Sequence, residues 1–471
     1  MEVTHADASH SAPPPAPLGK TRGRWRARSS HHISHEEPLL RRPLPSPHGC
    51  KHRKEQAVWS HKLAVISSRT YISQNARPTL SFNTLPTMTT STTAPHFWLR
   101  AETKKNERRT ALTPDVCNKL IRDHSFAITV EKSTDRIFDI AEYERIGCKI
   151  AETGSWQTSA PADAYIVGLK ELPETDTSPL SHTHIMFAHC FKNQRDWEKV
   201  LSRFDRGHGT LLDLEFLNDP KTGRRVAAFG YYAGYAGAAL GLDVWAHRQL
   251  EGADTPYPTV KPFENDDALI THIKGRVQQA VKKNGGQTPS VMVMGALGRC
   301  GSGAVDLARK IGISDEAIIK WDINETKAGG PFKEIVAHDV FVNCIYLSKP
   351  IPPFLNREVI EAVSEKERKL QVLVDVSCDT TNPHNPIPLY DQSTTFDDPV
   401  LTVEFAKPHP PLSVITIDHL PTLVPREASE MFATDLLPSL LLLKTDRNAP
   451  VWADAEKLFK EKLADARKEL A

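Results

Sequence analysis

No C-x-x-C pair and no Cys/His spacing suited to zinc occurs in this chain, which excludes a zinc-stapled module and a thioredoxin-type redox site. The seven cysteines (Cys50, Cys117, Cys148, Cys190, Cys300, Cys344 and Cys378) are scattered and odd in number. With no recognisable secretory signal, they give the expectation of plain thiols in a reducing compartment. Net charge is also missing. Lys and Arg number 59 and Asp and Glu 58, so there is no global electrostatic case for nucleic acid or an anionic membrane as partner. No apolar run has the ~20 residues of a membrane span. The uncharged run Val226–Leu242 has 17 residues, but it is packed with Gly and Ala and carries two adjacent tyrosines, the texture of a helix buried in a soluble protein. Internal repeats of roughly 20–50 residues are absent as well.

What is present is a chain of 471 residues, 39% hydrophobic and 25% charged, long enough for two ordinary domains. Its charge balance hides an asymmetry. Residues 1–87 hold 13 basic and 5 acidic residues, eight histidines and ten prolines, while the remainder holds 46 basic and 53 acidic. Without apolar periodicity, such a segment cannot bury enough surface to offset its ordering entropy, so residues 1–93 read as a disordered basic extension. Three explanations stand beside one another: a targeting peptide rich in Arg and Ser, a partner-binding arm, or a dispensable leader upstream of an alternative start at Met88. The last is preferred, because Met88 opens a short polar stretch that runs straight into a strand.

From Phe97 onward short apolar runs alternate with helical patterns, the signature of βαβ units and a parallel sheet. Strands are expected at 97–100, 126–131, 164–169, 184–188 and 209–214, then at 290–294, 318–321, 340–345, 371–376 and 414–417. Thr113-Pro114 predicts the N-cap and first position of a helix. Further helices are expected at 140–146, 194–204, 267–282, 303–311, 426–444 and 452–470. Gly230, Gly234, Gly237 and Gly241 fall three or four apart, a flat helical stripe that another backbone can approach closely. The fold class is therefore α/β, with two Rossmann-like, doubly wound parallel-sheet domains and an active-site cleft between them. One domain takes 94–228 and 425–471, the other 229–424.

Chemistry concentrates at a few places. The strand Val291–Met294 runs into Gly295-Ala-Leu-Gly298-Arg-Cys-Gly301-Ser-Gly303 and then a helix, the arrangement that closes backbone N–H groups on a pyrophosphate. Asp322 ends the next strand, 21 residues after Gly301, where an acid holds ribose hydroxyls and repels a 2′-phosphate; NAD is preferred to NADP. A Gly turn chosen for packing and a plain strand-end acid remain the alternatives. Lys170 and His189 each follow a strand, and ligands of open α/β sheets bind beyond the carboxyl ends of strands. An amine and an imidazole facing one crevice make an acid/base pair, with Glu171 and Glu215 expected to favour their protonated forms. A surface Lys and a structural His are the alternatives. Arg109, and Arg224 with Arg225, suit a substrate with several carboxylates, if they are not merely solvated.

These segments together carry a resemblance. LRAETKKNERRTALTP, IVGLKELPETDT, FAHCFKNQ, GRRVAAFGYYAGYAGAALG, GALGRCGSGA, KWDINET, NCIYLSKPI, DVSCDTTNPHNPIP and ITIDHLPTLVPREAS make the chain, from about Phe97 to its end, resemble the fungal saccharopine dehydrogenases that use NAD and form L-lysine. The resemblance implies oxidative deamination of saccharopine to L-lysine and 2-oxoglutarate, the last step of the aminoadipate route of lysine biosynthesis. It implies Lys170 as general base and His189 as second acid/base group. It places Arg109, Lys170, Arg225 and Phe229 against saccharopine, with Ser377, Cys378 and Asp379 on its other side; Cys378 stands where Ala is expected. It places Gln194, Arg224, Gly298, Arg299, Asp322 and Thr326 at the NAD site, together with Tyr346, Val376 and the stretch Ile417, Asp418, His419 and Leu420. A pairing of Cys300 with Cys344 is admitted by the same resemblance. The implied partners are small molecules only, with no metal, nucleic acid or membrane, and the implied state is a monomer. The C-terminus Lys468-Glu-Leu-Ala471 is not an S-K-L peroxisomal signal, so a cytoplasmic location is expected. Two alternatives stay open: an alanine dehydrogenase-like amino-acid dehydrogenase, and a non-catalytic NAD-binding module.

Overall fold

The computed structural model describes residues 94–347, 349–378 and 384–470. The basic extension 1–93, with Met88, and the expected substrate contact Asp379 lie outside the described residues.

The inner strands are short runs of mostly apolar, buried residues, as expected of parallel strands covered on both faces, and the edge strands at 149–151, 318–321 and 401–403 are more exposed. The first sheet is built from β1 (His96–Leu99), β2 (Ala127–Glu131), β3 (Lys149–Ala151), β4 (Tyr165–Val167), β5 (Thr183–Met186) and β6 (Thr210–Asp213). Their order is β3-β2-β1-β4-β5-β6, and every pairing is parallel, the doubly wound Rossmann arrangement. The helix Pro114–His124 starts as the sequence predicts: Thr113 Oγ1 accepts the Val116 N–H, and Pro114 fills the first turn. It stops at Ser125, which adopts the left-handed conformation (φ 58°).

The second sheet is built from β7 (Val291–Met294), β8 (Ile318–Trp321), β9 (Val340–Asn343), β10 (Val372–Asp375), β11 (Leu401–Val403) and β12 (Leu412–Ile415), in the order β11-β12-β10-β9-β7-β8. Only β11 runs antiparallel, at the edge. The Gly/Ala segment forms the helix Gly230–Glu251, and its glycine stripe does what its spacing predicts. A Cβ at Gly234 would lie 1.9 Å from the Cys300 carbonyl oxygen, and one at Gly303 2.0 Å from the Tyr231 carbonyl oxygen. Two helix backbones therefore cross in contact, and only glycine at both positions permits it. The other end of the stripe, Gly237 and Gly241, lies on Val374 and Val376.

The C-terminal helices Pro425–Thr445 and Pro450–Glu469 return to the first sheet. Phe432, Leu436, Leu440 and Trp452 share one buried core with Phe97, Leu99, Val130 and Val167. Three expectations need correction. The helix after the glycine loop begins at Arg299, not Gly303, because its Gly-Ser-Gly stretch is helical once packed on Tyr231. The helix expected from Gln194 begins at Trp197, because Asn193 and Asp196 take left-handed conformations (φ 58° and 59°) and hold the chain in a turn. The two short strands β3 and β11 were not anticipated, since three residues carry too little periodicity to read.

Candidate active site

β4 and β5 are neighbours, with Val167 opposite Ile185, and the Phe187 N–H to Leu169 carbonyl bond (2.8 Å) carries the pairing past their ends. Lys170 and His189 follow the carboxyl ends of these two adjacent strands. Lys170 is buried, and its Nζ lies 3.9 Å from Asp418 Oδ2. Asp418 follows β12 of the other sheet, so the contact crosses between the two sheets' ends. His189 Nε2 lies 3.9 Å from Glu171 Oε2, and Glu171 is in turn ion-paired to Lys104. The structure therefore brings Lys170, His189 and Asp418 together in one cleft.

His189 holds a left-handed backbone (φ 50°), uncommon for a residue with a Cβ. The buried carboxylate of Asp213 ties down both sides of this region. One oxygen accepts the Ala188 N–H (3.3 Å) and the other the Glu215 N–H (2.8 Å). Burial pushes the Asp213 carboxyl up to about 7, although those amides pull it down. Burial, and then the Lys170 charge, hold the His189 imidazole below its usual value; Glu171 and Glu215 pull it up but are outweighed. Glu171 and Glu215 thus act in the expected direction, but loss of water and a neighbouring cation outweigh them. For Asp418, burial raises the carboxyl, but Lys170, His189 and His419 together bring it below the usual range.

Arg109 is buried and held in plane. Its Nε and Nη2 donate to the two oxygens of Glu107 (2.8 and 2.5 Å), and its guanidinium lies over the Phe229 ring at 4.3 Å. Phe229 stacks on Phe432, 4.4 Å away and nearly parallel. Glu107 would be raised by burial, but Arg109 keeps it low and charged. Arg224 and Arg225 are exposed on a turn closed by the Asn218–Arg225 bridge, where the Arg225 carbonyl accepts Arg299 Nη2 (3.3 Å). The structure thus separates the buried arginine from the two exposed ones.

At the end of β10 the Asp375 carboxylate gathers the loop. It accepts Ser377 Oγ (2.6 Å), the Ser377 and Cys378 N–H groups (3.1 and 3.3 Å), Asn343 Nδ2 (3.0 Å) and the Tyr390 hydroxyl (2.6 Å). Cys378 is buried with φ 25°. In the stretch 417–420, Ile417 and Leu420 enter the second core. Asp418 faces the cleft. His419 packs edge-on to Phe396 (5.2 Å), and burial and Arg109 lower its imidazole.

The glycine loop fits a pyrophosphate. Helix geometry leaves the first-turn N–H groups of Arg299, Cys300 and Gly301 without intrahelical partners. A Cβ on Gly301 would sit 2.2 Å from the Gly295 carbonyl oxygen, so bare backbone forms the cradle. Asp322 fastens the loop to the next strand end: one oxygen accepts the Leu297 N–H (2.9 Å), the other the Ile323 N–H (2.8 Å). Thr326 is buried, with its hydroxyl donated to the Asp322 carbonyl (2.8 Å), so it acts within this turn. Tyr346 is exposed, and Val376 packs on Gly237. Gln194 lies apart from the loop, on the wall of a cavity of about 630 Å³ shared with His189 and Glu171. Cys300 and Cys344 are free thiols in contact, the latter raised by burial.

Sequence reasoning missed Glu107, Asp213, Asn343, Asp375 and Tyr390. The strand-end rule that selects Lys170 would have selected Asp213 and Asp375 as well, since both close strands.

A family described as "Alanine dehydrogenase/PNT, N-terminal domain" matches residues 98–236. Among solved structures, an L-alanine dehydrogenase superposes with a TM-score of 0.54 at 14% identity, covering 80% of this chain and all of the other, which establishes the shared fold. Proteins named saccharopine dehydrogenase (NAD(+), L-lysine-forming) are far more similar in sequence. That of Schizosaccharomyces pombe is 57% identical over 366 residues, covering 78% of this chain and 98% of its own. Those of Candida albicans and Emericella nidulans are 54% and 56% identical over 98% and 97% of their lengths. Identity of this extent, reaching across both sheets and the cleft between their ends, decides between the alternatives the motifs left open: the chain belongs to the family of NAD-dependent, L-lysine-forming saccharopine dehydrogenases.

Proposed function

We propose that this protein oxidises saccharopine with NAD to give L-lysine and 2-oxoglutarate, with Lys170 and His189 moving the protons. The observation that carries the reading is the cleft in which Lys170 and His189 leave adjacent strands of one sheet and meet Asp418 of the other. Bound NAD supplies the acceptor for the hydride. The residues that would hold it are the open amides at 299–301 and the Asp322 carboxylate. The chain's own work is orientation and proton transfer.

Arg109, flat on Phe229 and braced by Glu107, receives a substrate carboxylate and fixes the Cα–H bond in direction. Lys170 takes the proton from the secondary amine as that nitrogen becomes part of a C=N bond. Water then adds to the C=N carbon while neutral His189 takes its proton. Collapse of the carbinolamine breaks the C–N bond, and a protonated side chain returns a proton to the departing lysine amine. We place the reaction at the end of the aminoadipate route of lysine synthesis and in a monomer, readings that the family resemblance supports, and we propose a cytoplasmic location for it.

The direct test is NADH formation from saccharopine and NAD, with alanine as the competing substrate. Turnover with saccharopine alone is expected; turnover with alanine but not saccharopine would overturn the reading. A pH dependence follows with a definite sign. The proton-accepting form of His189 is neutral, and burial and the Lys170 charge lower its pKa from 6.5. Half-protonation of His189 therefore falls below 6.5, and the acid limb that it imposes on kcat is centred below that pH. A kcat–pH profile with no acid limb below 6.5 would contradict this.

A further inference from the structure

The main chain of Lys170 is gripped on both sides by two residues that leave the end of β1. Glu102 accepts the Leu169 N–H on one carboxylate oxygen (2.7 Å) and the Lys170 N–H on the other (3.0 Å). Arg100 donates Nη2 to the Lys170 carbonyl, and its Nη1 lies 3.3 Å from Glu102 Oε2, closing the ring. Both side chains are nearly inaccessible, at 1% and 8% exposure. Room for the guanidinium exists only because residue 168 has no side chain: a Cβ there would lie 2.4 Å from Arg100 Nε.

We infer that Arg100 and Glu102 are positioning residues that aim Lys170, and that this is why a charged pair is buried under the end of β4. Stability does not account for the arrangement. A buried ion pair is weak evidence for stabilisation, because desolvation can exceed the Coulombic gain. Arg100 Nε, moreover, is buried without a partner, which is unfavourable. What the pair does supply is a fixed origin for the Lys170 side chain. Both peptide groups of the residue are bonded to charged partners, and such bonds are stronger than neutral ones. The stem then has only its own rotamers with which to place Nζ against Asp418 across the cleft. A proton acceptor held in this way is preorganised from the rigid strand behind it.

The inference rests on Lys170 as the proton acceptor, and the test separates the two. In the full-length protein, Glu102→Gln, Glu102→Asp, Lys170→Met and the double variant Glu102→Gln/Lys170→Met are compared for kcat with saccharopine, KM for NAD and thermal midpoint. Gln keeps one acceptor and turns an NH2 toward the other amide. Its kcat is expected to fall on the order of 10²-fold, the factor that a displacement of about 1 Å can cost at a positioned group. KM for NAD stays within about twofold, Asp recovers part of the loss, and the double variant is no slower than Lys170→Met within about twofold. A Glu102→Gln protein with kcat within about twofold of the parent, or a double variant that loses the full factor on top of Lys170→Met, would overturn the clamp. Near-normal turnover in Lys170→Met would instead remove the acid/base reading. A dead Lys170→Met beside a fully active Glu102→Gln removes the clamp alone.

Discussion

Lys170→Met loses saccharopine oxidation by about 10²–10⁴-fold, the usual weight of a positioned acid or base, while NADH still binds. Methionine matches the length and the apolar stem of the lysine, so packing around this nearly buried side chain survives. What disappears is the amine that faces Asp418. The glycine loop and Asp322 belong to the other sheet and are tied to each other through the Leu297 N–H, a contact the substitution does not touch. kcat and cofactor affinity should therefore separate: a steady-state assay shows the loss, and a fluorescence titration with NADH shows affinity within about threefold of the parent. Turnover near the parent's rate would take Lys170 out of the mechanism. A parallel loss of NADH affinity would mean that the substitution had disturbed the cleft rather than the chemistry.

The residues in this cleft were legible in the sequence to different degrees. Lys170 and His189 could be picked out because each follows a short apolar run, and strand ends are where open sheets bind ligands. Asp418 was placed among the residues lining the cofactor; the fold puts its carboxylate against Lys170, a relation between residues 248 positions apart that no local pattern carries. The same distance hides what holds the site. Glu102 meets Lys170 at a separation of 68, and Asp213 meets Ala188 at 25. Local chemistry was read more fully: Thr113-Pro114 as a helix start, the glycine stripe as a contact between backbones, and the Gly295–Gly303 turn as a phosphate cradle. Several strand ends, as at 164–169, 184–188 and 340–345, were drawn two residues too far, because the apolar run continues beyond the last ladder bond, while 318–321 lies where it was expected. The 194–204 segment misled in the opposite way: its polar start reads as helix, while two left-handed residues make it a turn.

The cradle gives the second large effect. Gly301→Ala should weaken NAD binding on the order of 10²-fold, again the scale set by about 1 Å of misplacement. Gly301 sits in the first turn of its helix, and its missing Cβ is where the loop returns. That atom would lie 2.2 Å from the Gly295 carbonyl oxygen and 2.6 Å from Ala296 Cα, both main chain, so no rotamer change can relieve the contact. Nor can the loop move off freely. The Gly295 and Ala296 N–H groups both bond the Trp321 carbonyl (2.8 and 3.0 Å), and Gly295 holds φ 83° to make the turn. The helix start and the loop must therefore separate, and the amides that point at the pyrophosphate lose their common centre. Gly275→Ala is the control. It also lies inside a helix, but a Cβ there meets nothing within 4 Å, so the change should leave NAD affinity alone and add up to about 1 kcal/mol of stability through helix propensity. NADH titrations and thermal melts of the two variants, side by side, separate a shape requirement from a general tolerance for alanine. Equal NADH affinity in Gly301→Ala and the parent would show that the loop's glycine is not what shapes the cofactor site.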